Sequence, residues 1–218
     1  MHNLQRKVDL HLHSHYSWDS SVAIEEYIRQ AESLDFTAIA ITDHNNTESH
    51  HDIMKLQETT EVVLIPGQEV STRDGHLLVY GWVKRLEPGL PMSATIDQAH
   101  LQAGICIAAH PFDPFRGGSF GKIFETHVDG FEILNASAWF SFPNWLAKRA
   151  HAHHNQLAAV GNSDSHRLDE FGTAYTVLTL PHDVSLENLL SHLQHTDVGG
   201  RRIGIYRKLI RLFHRKIH

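Results

Sequence analysis

Short apolar runs alternate along the chain with longer stretches of helical spacing. Runs at 8–11, 37–42, 62–69, 76–82, 105–110, 130–134, 157–161 and 174–180 are apolar or β-branched and read as strands. Between the first two, Val22, Ile24, Tyr27, Ile28, Ala31 and Leu34 share one helical face, with Ser21 placed to cap a helix over 22–34. Ser93 stands before a second helical stretch over 94–103, Pro143 opens a third reaching about His154, and Ser185 leads into a fourth over 186–194. Strands that alternate with helices imply βαβ units and a mainly parallel sheet. With no internal repeat, low-complexity tract or Pro/Gly-rich linker, one α/β domain over 1–198 is expected, followed by a tail over 199–218.

Composition narrows the setting. The apolar runs are too short to span a bilayer. Residues 1–13 hold no apolar core of a signal peptide, and the lone Cys106 excludes an internal disulfide framework. The expected location is therefore cytoplasmic. Charge is uneven: residues 199–218 hold seven basic and no acidic residues, so the rest stands at 12 basic against 25 acidic, a net −13. So acidic a body is a poor general nucleic-acid surface, whereas divalent cations would offset clustered acids. In the tail, Tyr206, Leu209, Ile210, Phe213 and Ile217 recur at helical spacing among Arg and Lys. It reads as a helix docked on the acidic barrel or as a contact for an anionic partner (membrane, nucleic acid or acidic protein).

The 20 histidines are an excess, but their positions matter more than their number. His11 and His13 end the first strand, Asp43 and His44 follow the second, and Glu69 ends the third. His76 begins the next, His110 ends the run from 105, Glu132 and Asn135 flank the end of the following one, and Asp164 and His166 come after 157–161. Each motif alone also reads as an ordinary strand or turn, but all of them recurring at strand ends does not. In a closed α/β barrel such ends meet on one face and can share a metal site. The donors are nitrogen and oxygen without thiolate, and rich in imidazole. That suits Zn²⁺, Mn²⁺ or Fe²⁺ better than a Ca²⁺ or Mg²⁺ cage.

The strings VDLHLHSHYSWDS, AIAITDHNN, PGQEVSTRDGHLLVYG, AAHPF, FEILNAS and GNSDSH resemble, in order, the motifs of the PHP (polymerase and histidinol phosphatase) family. The resemblance runs from about Val8 to Leu180 and implies a distorted (β/α)7 TIM-like barrel with two or three divalent ions. It implies that His11, His13, Glu69 and Asp164 hold one ion, that Glu69 bridges to a second held by His76 and His110, and that Asp19, His44 and His166 hold the third. Many members carry the first-loop acid seven residues after the first histidine, where this chain has Trp18; Asp19 is one residue later. Asp9 and Asp43 are expected to orient ligand histidines.

The activity so implied is a metal-dependent phosphoric ester hydrolase, acting through metal-activated water on a phosphomonoester or nucleotide. His166 or His44 would protonate the leaving group if not occupied as ligands, and Arg116 and Arg167 would contact phosphate, unless they are solvated surface residues. The alternatives are a 5′–3′ exonuclease on short RNA or DNA, a histidinol phosphatase, and a non-catalytic metal-binding scaffold. Trp139, Phe140, Phe142 and Trp145 could stack on a nucleobase or belong to the core or a helix-docking surface.

Overall fold

The computed structural model describes residues 4–180, 185–194 and 196–204. Nine strands follow the chain: β1 (Leu4–Leu12), β2 (Phe36–Ile41), β3 (Val63–Thr72), β4 (Gly75–Tyr80), β5 (Ile105–Ala108), β6 (Gly130–Asn135), β7 (Ala158–Asn162), β8 (Ala174–Leu180) and β9 (Thr196–Gly200). They form one sheet in the order β7-β6-β5-β4-β3-β2-β1-β8-β9. The β1–β2, β2–β3, β5–β6 and β6–β7 pairings are parallel; β4 runs antiparallel to both its neighbours. A bridge between Leu12 and Ser165, and a bond from the Leu10 amide to Asn162 Oδ1 (3.0 Å), bring the end of β7 back to β1. The result is a nearly closed, TIM-like α/β barrel in a single domain.

Alternation along the strands builds two layers of core. Ala38, Ala40, Leu78, Tyr80 and Ile107 face one interior cluster with Val8, Leu10, Ile65 and Val160. Their neighbours point outward, Ile39 and Ile41 under one set of helical residues and Leu77, Val79 and Cys106 under another. Outside lie α1 (Ile24–Ser33), α2 (Ser49–Leu56), α3 (Met92–His100) and α4 (Phe142–His153); α5 (Leu186–Leu193) joins the interior cluster through Leu189 and Leu193. Pairing of β1 with β2 slips between Asp9 and Leu12, so Leu10 packs inside the barrel and Leu12 beneath α1.

Helix starts differ from the expected ones. Ser21 does not cap α1: the Glu26 carboxylate accepts the Ala23 amide (2.9 Å) at a helix that begins at Ile24. Ser93 lies inside α3, where Asp74 Oδ2 accepts the Met92 amide (3.0 Å). A carboxylate, Glu26 from the first turn of α1 itself and Asp74 from the turn between β3 and β4, thus accepts an amide at each helix start where a serine was expected to cap. The short helix α2 escaped the periodic reading, and β9 takes in Gly199 and Gly200 from the expected tail. The tail pattern from Tyr206 to Ile217 lies outside the described residues.

Candidate metal centre

Reversal of β4 settles why His76 belongs with residues from strand ends. An antiparallel strand starts on the face where its neighbours finish, and His76 pairs with Ser71 two residues past Glu69. Its Nδ1 stands 2.9 Å from Glu69 Oε1, and His110 Nε2 stands 3.2 Å from the same oxygen. The other oxygen, Oε2, is 3.3 Å from Nε2 of both His11 and His13 and 3.1 Å from His44 Nδ1. Asp164 Oδ1 lies 3.7 and 3.6 Å from the same two nitrogens. Beyond them, Asp19 Oδ2 is 2.9 Å from His166 Nε2 and 3.6 Å from His44 Nε2. All nine residues expected as metal ligands meet at one end of the barrel, Glu69 at the centre.

Hydrogen bonding shows what this arrangement lacks. His11 Nδ1 donates to Glu132 Oε1 (3.0 Å), so in the neutral imidazole Nε2 carries the lone pair. That lone pair points at His13 Nε2, only 3.1 Å away, and at the carboxylate oxygens of Glu69 and Asp164. Both oxygens, Glu69 Oε2 and Asp164 Oδ1, are buried without a hydrogen bond. Likewise His166 Nδ1 donates to the Asp164 carbonyl (3.0 Å), turning its other nitrogen's lone pair to Asp19. Lone pairs that face one another in a buried space call for a cation between them. A tetrahedral ion with bonds of about 2.1 Å sets its ligand atoms roughly 3.4 Å apart, close to the 3.1–3.7 Å that separate His11 and His13 from each other and from the Glu69 and Asp164 oxygens. The donor set therefore fits divalent ions.

The electrostatics agree. Burial alone would raise the Glu69 pKa, but His44, His11 and His76 hold it well below the usual range. Burial works the same way on Asp164 and is outweighed by Arg116 and His11. On His13 burial disfavours charge, yet the Asp164 and Glu69 carboxylates that face its ring lift it to about 9, so positive charge is favoured where these groups meet. Two members of the cluster, His110 and Asp164, have φ of 30° and 54°, a region side chains other than glycine rarely adopt.

A buried cradle beneath the cluster was given no role from the sequence. Glu132 Oε1 accepts from His11 and from Asn162 Nδ2 (2.8 Å); Oε2 accepts from the His110 amide (2.7 Å) and from Asn135 Nδ2 (2.8 Å). Burial disfavours its charge, but His11 holds its pKa below the usual range. Asp9 and Asp43 do not orient ligand rings, as had been expected. Asp9 receives the Ser163 and Gly172 amides (3.1 and 3.3 Å) and Asp43 receives the Ser14 amide and hydroxyl (2.6 and 2.8 Å), so both tie down loops. Burial raises Asp9 to about 7. Asp9 two residues before His11, Asp43 next to His44 and Glu132 near the end of β6 gave no signal, in sequence, of which one would reach an imidazole.

Of the two arginines expected at phosphate, the structure brings in one. Arg116 Nη1 bonds to Asp164 Oδ2 and to Asn135 Oδ1 (3.3 Å), with the side chain only 16% exposed. Arg167 is exposed and pairs with Asp169 Oδ1 (3.3 Å), next to it on the surface. Of three histidines outside the cluster, at the end of α4, His153 is exposed, whereas His154 stacks on Phe124 (3.8 Å) and His151 reaches the Leu157 carbonyl (3.1 Å).

The PHP domain model matches residues 9–169, a span that includes every member of the cluster. The chain belongs to the PHP domain family. A PHP-associated model also matches residues 142–198. An uncharacterized protein of Methanocaldococcus jannaschii is 30% identical over 140 residues, covering 60% of this chain and 82% of the relative. PsfC from Pseudomonas syringae PB-5123 superposes with a TM-score of 0.74 at 19% identity, with 99% of each chain covered. The lesion-specific endonuclease PfuEndoQ of Pyrococcus furiosus gives 0.67 at 17% identity, over 89% of this chain and 58% of that one. A protein of Bifidobacterium adolescentis assigned as a metal-dependent phosphoesterase gives 0.62 at 16% identity, over 76% and 89%. At such identities these three likenesses speak to the barrel. No helix among the described residues is long and apolar enough to cross a membrane.

Proposed function

We propose that the chain is a metal-dependent phosphoesterase that hydrolyses a phosphomonoester or nucleotide phosphate ester. Family membership and the donor set support the coarser reading, a metal-dependent hydrolase. The observation that carries it is the buried meeting of lone pairs from His11, His13, Glu69 and Asp164. His11, His13, Glu69 and Asp164 would hold one ion, Glu69, His76 and His110 a second, and Asp19, His44 and His166 a third. Bound divalent ions there would lower the pKa of water to near neutrality and neutralise phosphoryl oxygens.

The remaining steps belong to the chain's own groups. Arg116, anchored on Asp164 and Asn135, has further guanidinium donors for a phosphoryl oxygen, so it would orient the ester for attack. His166 and His44 each direct both ring nitrogens at groups of the cluster, which favours ligand over proton-donor roles for both. Arg167, paired on the surface, is left out of the proposed machinery.

A screen of phosphomonoesters, bisphosphorylated nucleotides and short oligonucleotides with Mn²⁺, Zn²⁺ and Fe²⁺ tests this reading. Turnover is expected in at least one combination and should vanish in His11→Ala and Asp164→Asn. Tightly bound metal without hydrolysis of any phosphoester would instead favour a metal-binding scaffold.

A further inference from the structure

Beside the metal centre lies a surface that the hydrolytic groups do not use. Phe115, Phe140, Phe142 and Trp145 are each more than half exposed. They form two ring pairs: Phe115 with Phe140, and Phe142 stacked on Trp145, both with centroids 5.8 Å apart. The Arg149 guanidinium lies 5.1 Å over the Trp145 ring. Leaving four large rings in water is costly for a soluble protein, and patches of this kind usually mark a binding surface.

Two features say what the surface is for. The first is its attachment to the centre. Arg116, next to Phe115, bonds to Asp164. At the start of α4, Asn144 exchanges two hydrogen bonds with the Asn135 backbone (3.0 and 2.9 Å), and Asn135 Nδ2 bonds to Asp164 Oδ2 (3.0 Å). The second feature is charge. Although the chain has 25 acidic residues, none falls within 133–163 or 114–124. Of the flanking acids, Asp113, Glu132 and Asp164 are buried, and Glu125 is exposed ten residues from Phe115. Lys148 and Arg149 are exposed on α4, and Arg202 donates to the Ala138 and Trp139 carbonyls (3.1 and 2.9 Å) just before Phe140. The acidity of the body as a whole therefore does not extend to this patch. Exposed aromatic faces set among cations, with no acidic residue in either segment that carries them, match single-stranded nucleic acid.

We infer that Phe115, Phe140, Phe142 and Trp145 form a stacking platform for the bases of a single-stranded nucleic acid whose phosphate enters the metal centre. This deepens the phosphoesterase reading and rests on it for the direction of the strand. Two ring pairs give room for more than one base, which favours a short oligonucleotide over a lone phosphorylated sugar. An apolar protein partner would use the rings but would not require the acid-free surround.

Binding can be measured without turnover, on the full-length chain with short phosphorothioate strands, either bearing bases or abasic throughout. Fluorescence anisotropy should show tighter binding to the base-bearing strand. The double variant Phe140→Ala/Trp145→Ala should lose most of that preference, roughly 5- to 100-fold in Kd. Phe140→Tyr/Trp145→Tyr, which keeps the rings, should retain it and exclude misfolding as the cause. If the wild type binds both strands alike or binds neither, or if the double Ala variant keeps the preference, the platform assignment is wrong. Base-dependent binding without hydrolysis of any phosphoester would leave the platform standing and overturn only the phosphoesterase reading.

Discussion

Among the described residues, two places in the barrel gather residues that could hold a metal, and they differ in whether anything is missing. In the cluster around Glu69, His11 and His13 face both Glu69 and Asp164, and two carboxylate oxygens lack hydrogen bonds. Elsewhere His100, Cys106 and Asp129 also bring three donor atoms close together. There Asp129 Oδ2 already accepts the Cys106 amide (2.7 Å) and stands 3.0 Å from His100 Nε2. Burial pushes the Cys106 thiol beyond the range in which it would ionise near neutrality. The second group is thus complete as a hydrogen-bonded corner between α3, β5 and the start of β6. Proximity of donor types is common; unmet valence distinguishes a metal centre.

Several measurements would break or sharpen that contrast. The largest effect is expected from His11→Ala and Asp164→Asn, each lowering metal-dependent kcat/KM by more than about 100-fold, since each opens the shared site around Glu69. Survival of wild-type turnover in either variant would remove the site assignment. Next comes Glu132→Gln, which never touches metal. An amide satisfies the donors on one of its two sides only, so Mn²⁺ or Zn²⁺ affinity by titration calorimetry should weaken roughly 10- to 100-fold. An unchanged affinity would show that His11 does not depend on this carboxylate.

Chelation should destabilise the wild type, because the ligands would then face one another without a cation. At an ion concentration 100 times Kd the stabilisation is about 2.7 kcal/mol. For a domain of this size it should appear as a Tm lower by roughly 5–10 °C on scanning calorimetry with EDTA. The same treatment should lower the Tm of His11→Ala by less, since one of the three proposed ion sites has already lost a ligand. The smallest effect belongs to the other corner. His100→Ala should leave bound metal per chain unchanged by elemental analysis and cost no more than about 1 kcal/mol in urea unfolding, as expected of a half-exposed pair. A fall in bound metal there would erase the distinction drawn between the two groups.

Legibility followed range. The positions of β1 to β8 and of three of the helices between β1 and β7 were readable because local periodicity marks the elements, and donor types stood at several strand ends, whereas Asp19 was named only through the family resemblance. Helix caps were less so. Ser21 and Ser93 looked like caps locally, but Glu26 and Asp74 supply the acceptors. Asp9, Asp43 and Glu132 are similar carboxylates near similar motifs, and no spacing rule separates the one that bonds an imidazole from the two that bind loops.

Sequence by itself determined the alternation of strands and helices, the absence of thiolate from the donor set, and the placement of acids, histidines and aromatics along the chain. Tertiary structure alone decided the reversal of β4, which delivers His76 to the common face, and the choice of Arg116 over Arg167. It also decided the facing lone pairs that call for a cation, and the gathering of four exposed rings beside Asp164. The physical reason is that a lone pair or an exposed ring acquires meaning from what lies opposite it. In a barrel, that neighbour comes from a distant strand.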